Sequence, residues 1–105
     1  MSELEQPQED AAGDSGFLPP ASFEFLTWSL RTQAEMQLGL LHLGKPEEKP
    51  QPDLRLARHS IDLLGVLQEK TRGNLSLEEQ RLLENSLTEL RFRYVQALEE
   101  QQKQS

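Results

Sequence analysis

The stretch EKTRGNLSLEEQRLL, residues 69–83, brings two cations, a glycine and the start of a helix together. Those residue types can cradle an anion, because backbone N–H groups at a helix start point at such a ligand and the helix dipole favours negative charge. Lys70, Thr71, Arg72, Gly73 and Asn74 are therefore the candidate anion or interaction site. The same residues also make a joint between two helices. Gly73 follows a helical turn where a left-handed residue is needed, and Lys70 and Arg72 complement a helix C-terminus. Ser76 with Glu79 three residues on is a capping box that would occupy the donors an anion needs, and Glu78 adds repulsion. On that competition the joint outweighs the anion site.

Other constellations carry less. GLLHLGK, residues 39–45, fits the first seven positions of a phosphate-binding loop, but the next residue is Pro46, and the loop would have to follow a strand and open a helix. His42 and His59 are the two histidines. Asp62 can orient His59, yet no nucleophile or clustered second ligand accompanies either ring, so both read as helix-surface residues. The acid pairs Glu47/Glu48, Glu78/Glu79 and Glu99/Glu100 fall in a loop, a helix start and a helix end, where water denies them the burial that acid–base catalysis draws on. Asn74-Leu75-Ser76 matches a glycosylation acceptor, which has no use without export. No catalytic, cofactor-binding or metal residue is assigned, and an enzyme is not expected.

A chain of 105 residues allows one domain with a modest core. It has no cysteine, hence no disulfide framework, thiolate nucleophile or Cys-based zinc site. The formal charge of −7 is uneven: residues 1–20 hold five acids and no Lys or Arg, which leaves 13 acids and 11 bases for the rest. Nucleic-acid binding is disfavoured, because Lys and Arg are scattered among acids and form no basic patch. The N-terminus lacks a basic region followed by an apolar one, and no apolar run reaches the roughly 18 residues that span a bilayer, so a cytoplasmic protein without membrane insertion is expected.

The elements that would position these residues are all helical, since no sustained alternation marks a strand. Residues 1–18 are poor in large apolar side chains and read as a disordered acidic tail. A three-helix domain over 19–101 follows, with helices at about 22–43, 53–72 and 76–100 and a frayed end at 102–105. Ser22 caps the first helix, whose stripe is Phe23, Leu26, Leu30, Ala34, Leu38 and Leu41, and Gly44 is its expected C′ residue. Asp53 caps the second, with Leu54, Ala57, Ile61 and Leu64 in one stripe widened by Leu56, Leu63 and Leu67. The third presents Leu83, Leu87, Leu90, Tyr94 and Leu98, flanked by Leu82 and Ala97. The join between the second and third is short, so an antiparallel hairpin is expected.

The first helix also bears a second stripe, Phe25, Trp28, Met36, Leu40 and Leu43, and so calls for two neighbours or a partner chain. Phe23, Phe25 and Trp28 are the candidate partner-helix face. One Arg against two Glu on its polar side gives no attraction to anionic lipid. A bundle closed within one chain and a bundle shared between two chains, a homodimer, both remain open.

The segment SIDLLGVLQEKTRGNLSLEEQRLLENSLTELRFRYV resembles the C-terminal signature of a bacterial family known as domain of unknown function 1844. The matching positions are Ile61, Asp62, Leu63 and Leu64, then Lys70, Thr71, Gly73, Asn74 and Leu75, then Leu82, Leu83, Glu89, Leu90, Arg91, Tyr94 and Val95. Upstream, FEFLTWSLRTQAEMQLG is similar to the family's first helix, although Arg31, Glu35 and Met36 make it more polar than the usual Ser/Ala-rich version. The resemblance covers about residues 20–98, with KTRGNL its most specific part. It implies a bacterial cytosolic setting and a mostly helical domain behind a charged, variable tail, and it supplies no activity.

The expected function is therefore a non-catalytic interaction or assembly factor that acts through helical surfaces on a protein partner or a second copy. The alternative is a ligand- or ion-responsive accessory module using the joint at residues 70–79.

Overall fold

The computed structural model of the chain describes residues 18–42, 44–48 and 51–104. The acidic tail expected over 1–18 thus lies, up to residue 17, outside the described residues. Helix α1 is Phe23–Gln37, α2 is Leu54–Lys70 and α3 is Leu77–Gln104, with a 3-10 turn at Pro46–Glu48 between the first two. No strand occurs among the described residues.

Each helix starts where its polar cap dictates. The Ser22 hydroxyl accepts from the Phe25 N–H at 3.0 Å, and Glu24 sits in the first turn, where the dipole favours it. Asp53 does the same for α2, accepting from the Leu56 N–H at 3.1 Å. Before α3, Ser76 and Glu79 exchange bonds: the Ser76 N–H donates to the Glu79 carboxylate at 2.8 Å and the Glu79 N–H to the Ser76 hydroxyl at 3.1 Å.

The first helix ends earlier than expected. Gly39, at φ 81°, donates to the Met36 carbonyl at 3.1 Å, and Leu40 donates to the Glu35 carbonyl at 2.9 Å, the paired bonds of a Schellman motif. Gly39 is therefore the C′ residue, Gly44 is not, and α1 stops at Gln37 where a helix to 43 was expected. Gly44 instead lies against the His42 ring, which a Cβ would meet at 3.1 Å. The last helix departs in the other direction. It runs 28 residues to Gln104, about 42 Å, where fraying was expected from 102. Glu, Gln and Lys are good helix formers, and Lys103 complements the dipole in the last turn.

The core lies where all three helices meet, each packing on the other two. Leu54, Ala57, Ile61 and Leu64 of α2 and Leu83, Leu87 and Leu90 of α3 are buried as the stripes predict. Burying each leucine contributes roughly 1.5–3 kcal/mol. The early residues of α2 lie beside the late residues of α3: Arg58 and Ile61 share a groove with Tyr94 and Val95, and Gln68 shares one with Gln80 and Leu83.

Helix α1 buries a different face from the one its leucines suggest. Ala34 and Leu38 are buried, and Phe23 and Leu30 pack partly against the core, but Leu26 and Leu41 are exposed and Thr27 takes a fully buried place. Small residues let the helices approach closely: Thr27, Ala34, Ala57, Ser60 and Ser86 are all 0–1% exposed. Polar side chains then tie α1 down. The Gln33 amide donates to the Ser60 hydroxyl at 3.1 Å, and that hydroxyl donates to the Gln37 side-chain oxygen at 2.6 Å. Arg31 reaches the Ser86 hydroxyl on α3 at 3.3 Å while its Nε pairs with Glu35 at 3.1 Å.

Among the buried polar groups the Thr27 hydroxyl finds no partner among the described residues. A buried unpaired hydroxyl costs about 1–3 kcal/mol. Thr27→Val keeps the shape and removes that cost, so it should raise the unfolding free energy by about 1 kcal/mol. Urea titration followed by circular dichroism measures this, and a lowered midpoint would contradict a dry, unpaired hydroxyl.

Candidate functional site

The joint at residues 70–79 is built from α2's last turn inward. Thr71 is the C-cap of α2. Its N–H and its hydroxyl both reach the Leu67 carbonyl, at 3.1 and 2.7 Å. The next turn spans residues 71–74, closed by the Asn74 N–H on the Thr71 carbonyl at 2.9 Å, with Gly73 third in it at φ 83°. Gly73 is thus needed for a left-handed conformation, as expected, but in this turn and not as the residue that closes the helix. A Cβ there would meet nothing within 4 Å, so the constraint is wholly one of backbone.

The charges of the joint are largely matched within it. Arg72 pairs with Glu69 at 2.7 Å, both well exposed. The adjoining hollow, about 200 Å³, is lined by Gln68, Thr71, Arg72, Leu75, Gln80 and Glu84, and the Gln80 amide donates to the Glu84 carboxylate at 3.1 Å. The Ser76 hydroxyl holds the Glu79 N–H of α3, and the Glu79 carboxylate holds the Ser76 N–H just before it. Lys70 and Asn74 are exposed, and their side chains make no hydrogen bond or ion pair among the described residues. The five candidate residues are thus contiguous, but only Thr71, Arg72 and Gly73 face the hollow.

The aromatic face divides. Phe23 packs against the core cluster, whereas Phe25 stacks on Trp28 with centroids 5.8 Å apart, and Trp28 is 56% exposed. Phe23, Phe25 and Trp28, expected as one partner-helix face, therefore do not share a side: Phe23 is turned inward, while Phe25 is half-buried beside the exposed Trp28.

The histidines are not brought into a site. His42 lies on the connection after α1, not on a helix, and its Nε2 donates to the Lys45 carbonyl at 3.0 Å. His59 is exposed on α2, and its neighbour Asp62 lies 3.8 Å from Arg58. No group of three His, Asp or Glu side chains that could hold a metal occurs among the described residues. GLLHLGK follows a helix and precedes a three-residue turn, with no helix N-terminus to receive a phosphate.

One feature escapes local spacing. A groove of about 460 Å³ runs beneath the end of α1, lined by Leu38, Leu40, Pro52, Arg93, Ala97 and Glu100 among others. Its walls come from three separated parts of the chain, so no sequence motif marks it. Arg93 is held by Glu89 at 2.8 Å and Gln96 at 3.3 Å.

Fold and surface together define a small all-α module, a three-helix bundle with a capped joint and an apolar exterior on α1. Within that class the chain belongs to the family described as Domain of unknown function (DUF1844), whose model matches residues 20–96. No curated protein and no solved structure matches it.

The joint makes separable demands. Gly73→Ala forces an L side chain into the left-handed region and should cost about 1–2 kcal/mol. Ser76→Ala should cost about 1 kcal/mol by loss of the cap. Lys70→Ala and Asn74→Ala should stay within about 0.5 kcal/mol of the parent. Thermal and urea unfolding of the four variants test this; a large loss from Lys70→Ala would show that the joint depends on the amine.

Proposed function

We propose that the chain is a non-catalytic interaction or assembly factor of the bacterial cytosol, acting through its helical surfaces. The observation that carries this reading is that large apolar side chains remain outside a filled core. Trp28, Leu56, Val66 and Phe92 are each more than half exposed, while Leu64, Leu83, Leu87 and Leu90 are fully buried. Exposed apolar patches mark surfaces that other proteins or membranes cover. No described helix is long and apolar enough to cross a membrane, and the near-neutral balance after residue 20 disfavours nucleic acid. Resemblance to a bacterial cytosolic family supports the setting.

A second reading, a ligand- or ion-responsive module using residues 70–79, draws on Lys70 and Asn74, the side chains that the joint leaves without partners. Calorimetry with phosphate, nucleotides and zinc tests it, and saturable heat abolished by Lys70→Ala would favour it over the first.

Photo-crosslinking in the native host discriminates the surfaces. A photoreactive residue at position 28, 56 or 92 should give discrete adducts, and one at Asn85, an exposed polar position on α3, should not. Absence of adducts from all three apolar positions would sink the interaction reading.

A further inference from the structure

At the seam of α2 and α3 we infer that a groove receives an acidic side chain of a partner protein, an inference that rests on the interaction reading above and gives it a surface and a partner chemistry. The groove, about 270 Å³, is lined by Arg58, Ile61 and Asp62 of α2 and by Arg91, Tyr94 and Val95 of α3. Ile61 is buried and belongs to the core, so the floor of the groove is apolar.

Two guanidinium groups border that floor with their donors unused. Arg91 makes no hydrogen bond or ion pair among the described residues. One of its terminal nitrogens lies 3.6 Å from where a Cβ on Gly65 would be, so the guanidinium reaches across the seam to α2. Arg58 stands 3.8 Å from Asp62, too far for a hydrogen bond, and both side chains are exposed. The hydroxyl of the half-buried Tyr94 has no partner among the described residues either.

Gly65 has no reason in the monomer. Glycine weakens a helix interior relative to alanine, and a Cβ here would meet only the Arg91 guanidinium, at an ordinary contact distance. Packing of α2 on α3 therefore has room for alanine. What glycine provides is open space beside that guanidinium, where a carboxylate can reach it.

These features select the occupant. Within the groove two cations face one carboxylate, in a chain of formal charge −7. By helical spacing Arg55 and Glu99 lie beyond one end and Glu69 and Glu84 beyond the other, where Arg72 and Gln80 hold the latter two. A carboxylate accepts two parallel bonds from a guanidinium, and an exposed pair such as Arg58 with Asp62 contributes little that its displacement would forfeit. Arg and Tyr are also the types that anchor protein interfaces. The groove is smaller than the roughly 300–1,000 Å³ of pockets that enclose a free small molecule. It suits one side chain with an apolar neighbour, Glu or Asp beside Leu or Val, presented by a partner's surface. Val95 and, three residues before it, Phe92 offer that neighbour exposed apolar contact.

The test is the amide spectrum of the isotope-labelled full chain titrated with the capped peptide Glu-Leu-Glu-Leu-Glu, and with the same peptide carrying Gln for Glu. The Glu peptide should give saturable shifts centred on residues 58–65 and 88–95, and the Gln peptide should bind about tenfold more weakly or worse. Arg91→Gln should lose about tenfold in affinity with an unchanged thermal melt. Gly65→Ala should raise the melting temperature and weaken binding several-fold, a combination that a glycine needed only for packing would not give. Absence of saturable shifts, equal binding of the two peptides, or full affinity in either variant overturns the inference. So do groove shifts that benzoate reproduces at equal affinity, that grow with the chain's own concentration, or that appear when Glu3, Glu5 and Glu9 become Gln; these would give the groove to a free carboxylate, a second copy or the chain's own acids. Crosslinks from the host keep the failures apart. Adducts from position 28 or 56 without peptide binding refute this inference alone, and no adducts from 28, 56 and 92 without peptide binding refute the interaction reading as well.

Discussion

The bundle depends on one buried hydroxyl. Ser60, 1% exposed, accepts from Gln33 and donates to Gln37, and the Gln37 carbonyl in turn accepts the Asp53 N–H at 2.8 Å. These bonds set the register of α1 on α2 and bring the start of α2 to the end of α1, whatever course the connection takes between them. Leucine packing alone would not set that register, because apolar contact is non-directional. A buried hydrogen bond is worth only about 1 kcal/mol net, but leaving one of its members unpaired costs more. A slipped register would strand these groups, so their main effect is to exclude alternatives.

Close approach is the second half of the same constraint. The bonds are possible because Thr27, Ala34, Ala57, Ser60 and Ser86 are small enough for the helices to come together. Arg31 then spans to Ser86, which anchors α1 to α3 as well as to α2. Its guanidinium is half-buried, with Glu35 as counter-ion. The polarity that sets this first helix apart from the Ser/Ala-rich version it resembles is therefore in part structural: Arg31 and Glu35 form the tie to α3.

Where leucines make the core, the sequence is easy to read. The stripes of α2 and α3 survive in the structure because their buried faces consist of Leu, Ile and Ala at three- and four-residue steps, and the Ser76/Glu79 box is local enough to stand on spacing alone. On α1 the pattern misleads. Its core face includes Thr27 and is bordered by Arg31, Gln33 and Gln37, which a hydrophobic count scores as solvent-facing, while Leu26 and Leu41 are drawn inward on paper and stay outside. Leu40, Leu41 and Leu43 carry the apparent period past Gly39, whose left-handed conformation ends the helix. Phe23 and Phe25, two residues apart, must face different ways on a helix, which divides the expected aromatic face. The 460 Å³ groove had no signal because only tertiary packing assembles it.

The joint and the seam make different claims on function. The family match over residues 20–96 takes in both and stops eight residues before α3 ends, so neither is an ornament outside the family's domain. At the joint, structure accounts for most residue types: Thr71 caps α2 through its hydroxyl, Gly73 supplies the positive φ, and Ser76 and Glu79 begin α3. Lys70 and Asn74 are left over, exposed and unused by the turn. At the seam the balance is reversed. The buried polar residues are fully accounted for, and what lacks a structural reason is the apolar rim around them, which contributes little to the monomer's core and exposes surface that water disfavours. A residue type without a structural reason is where function is to be sought. The rim draws on two helices and the joint's surplus on two side chains, and neither is explained by the packing of the monomer.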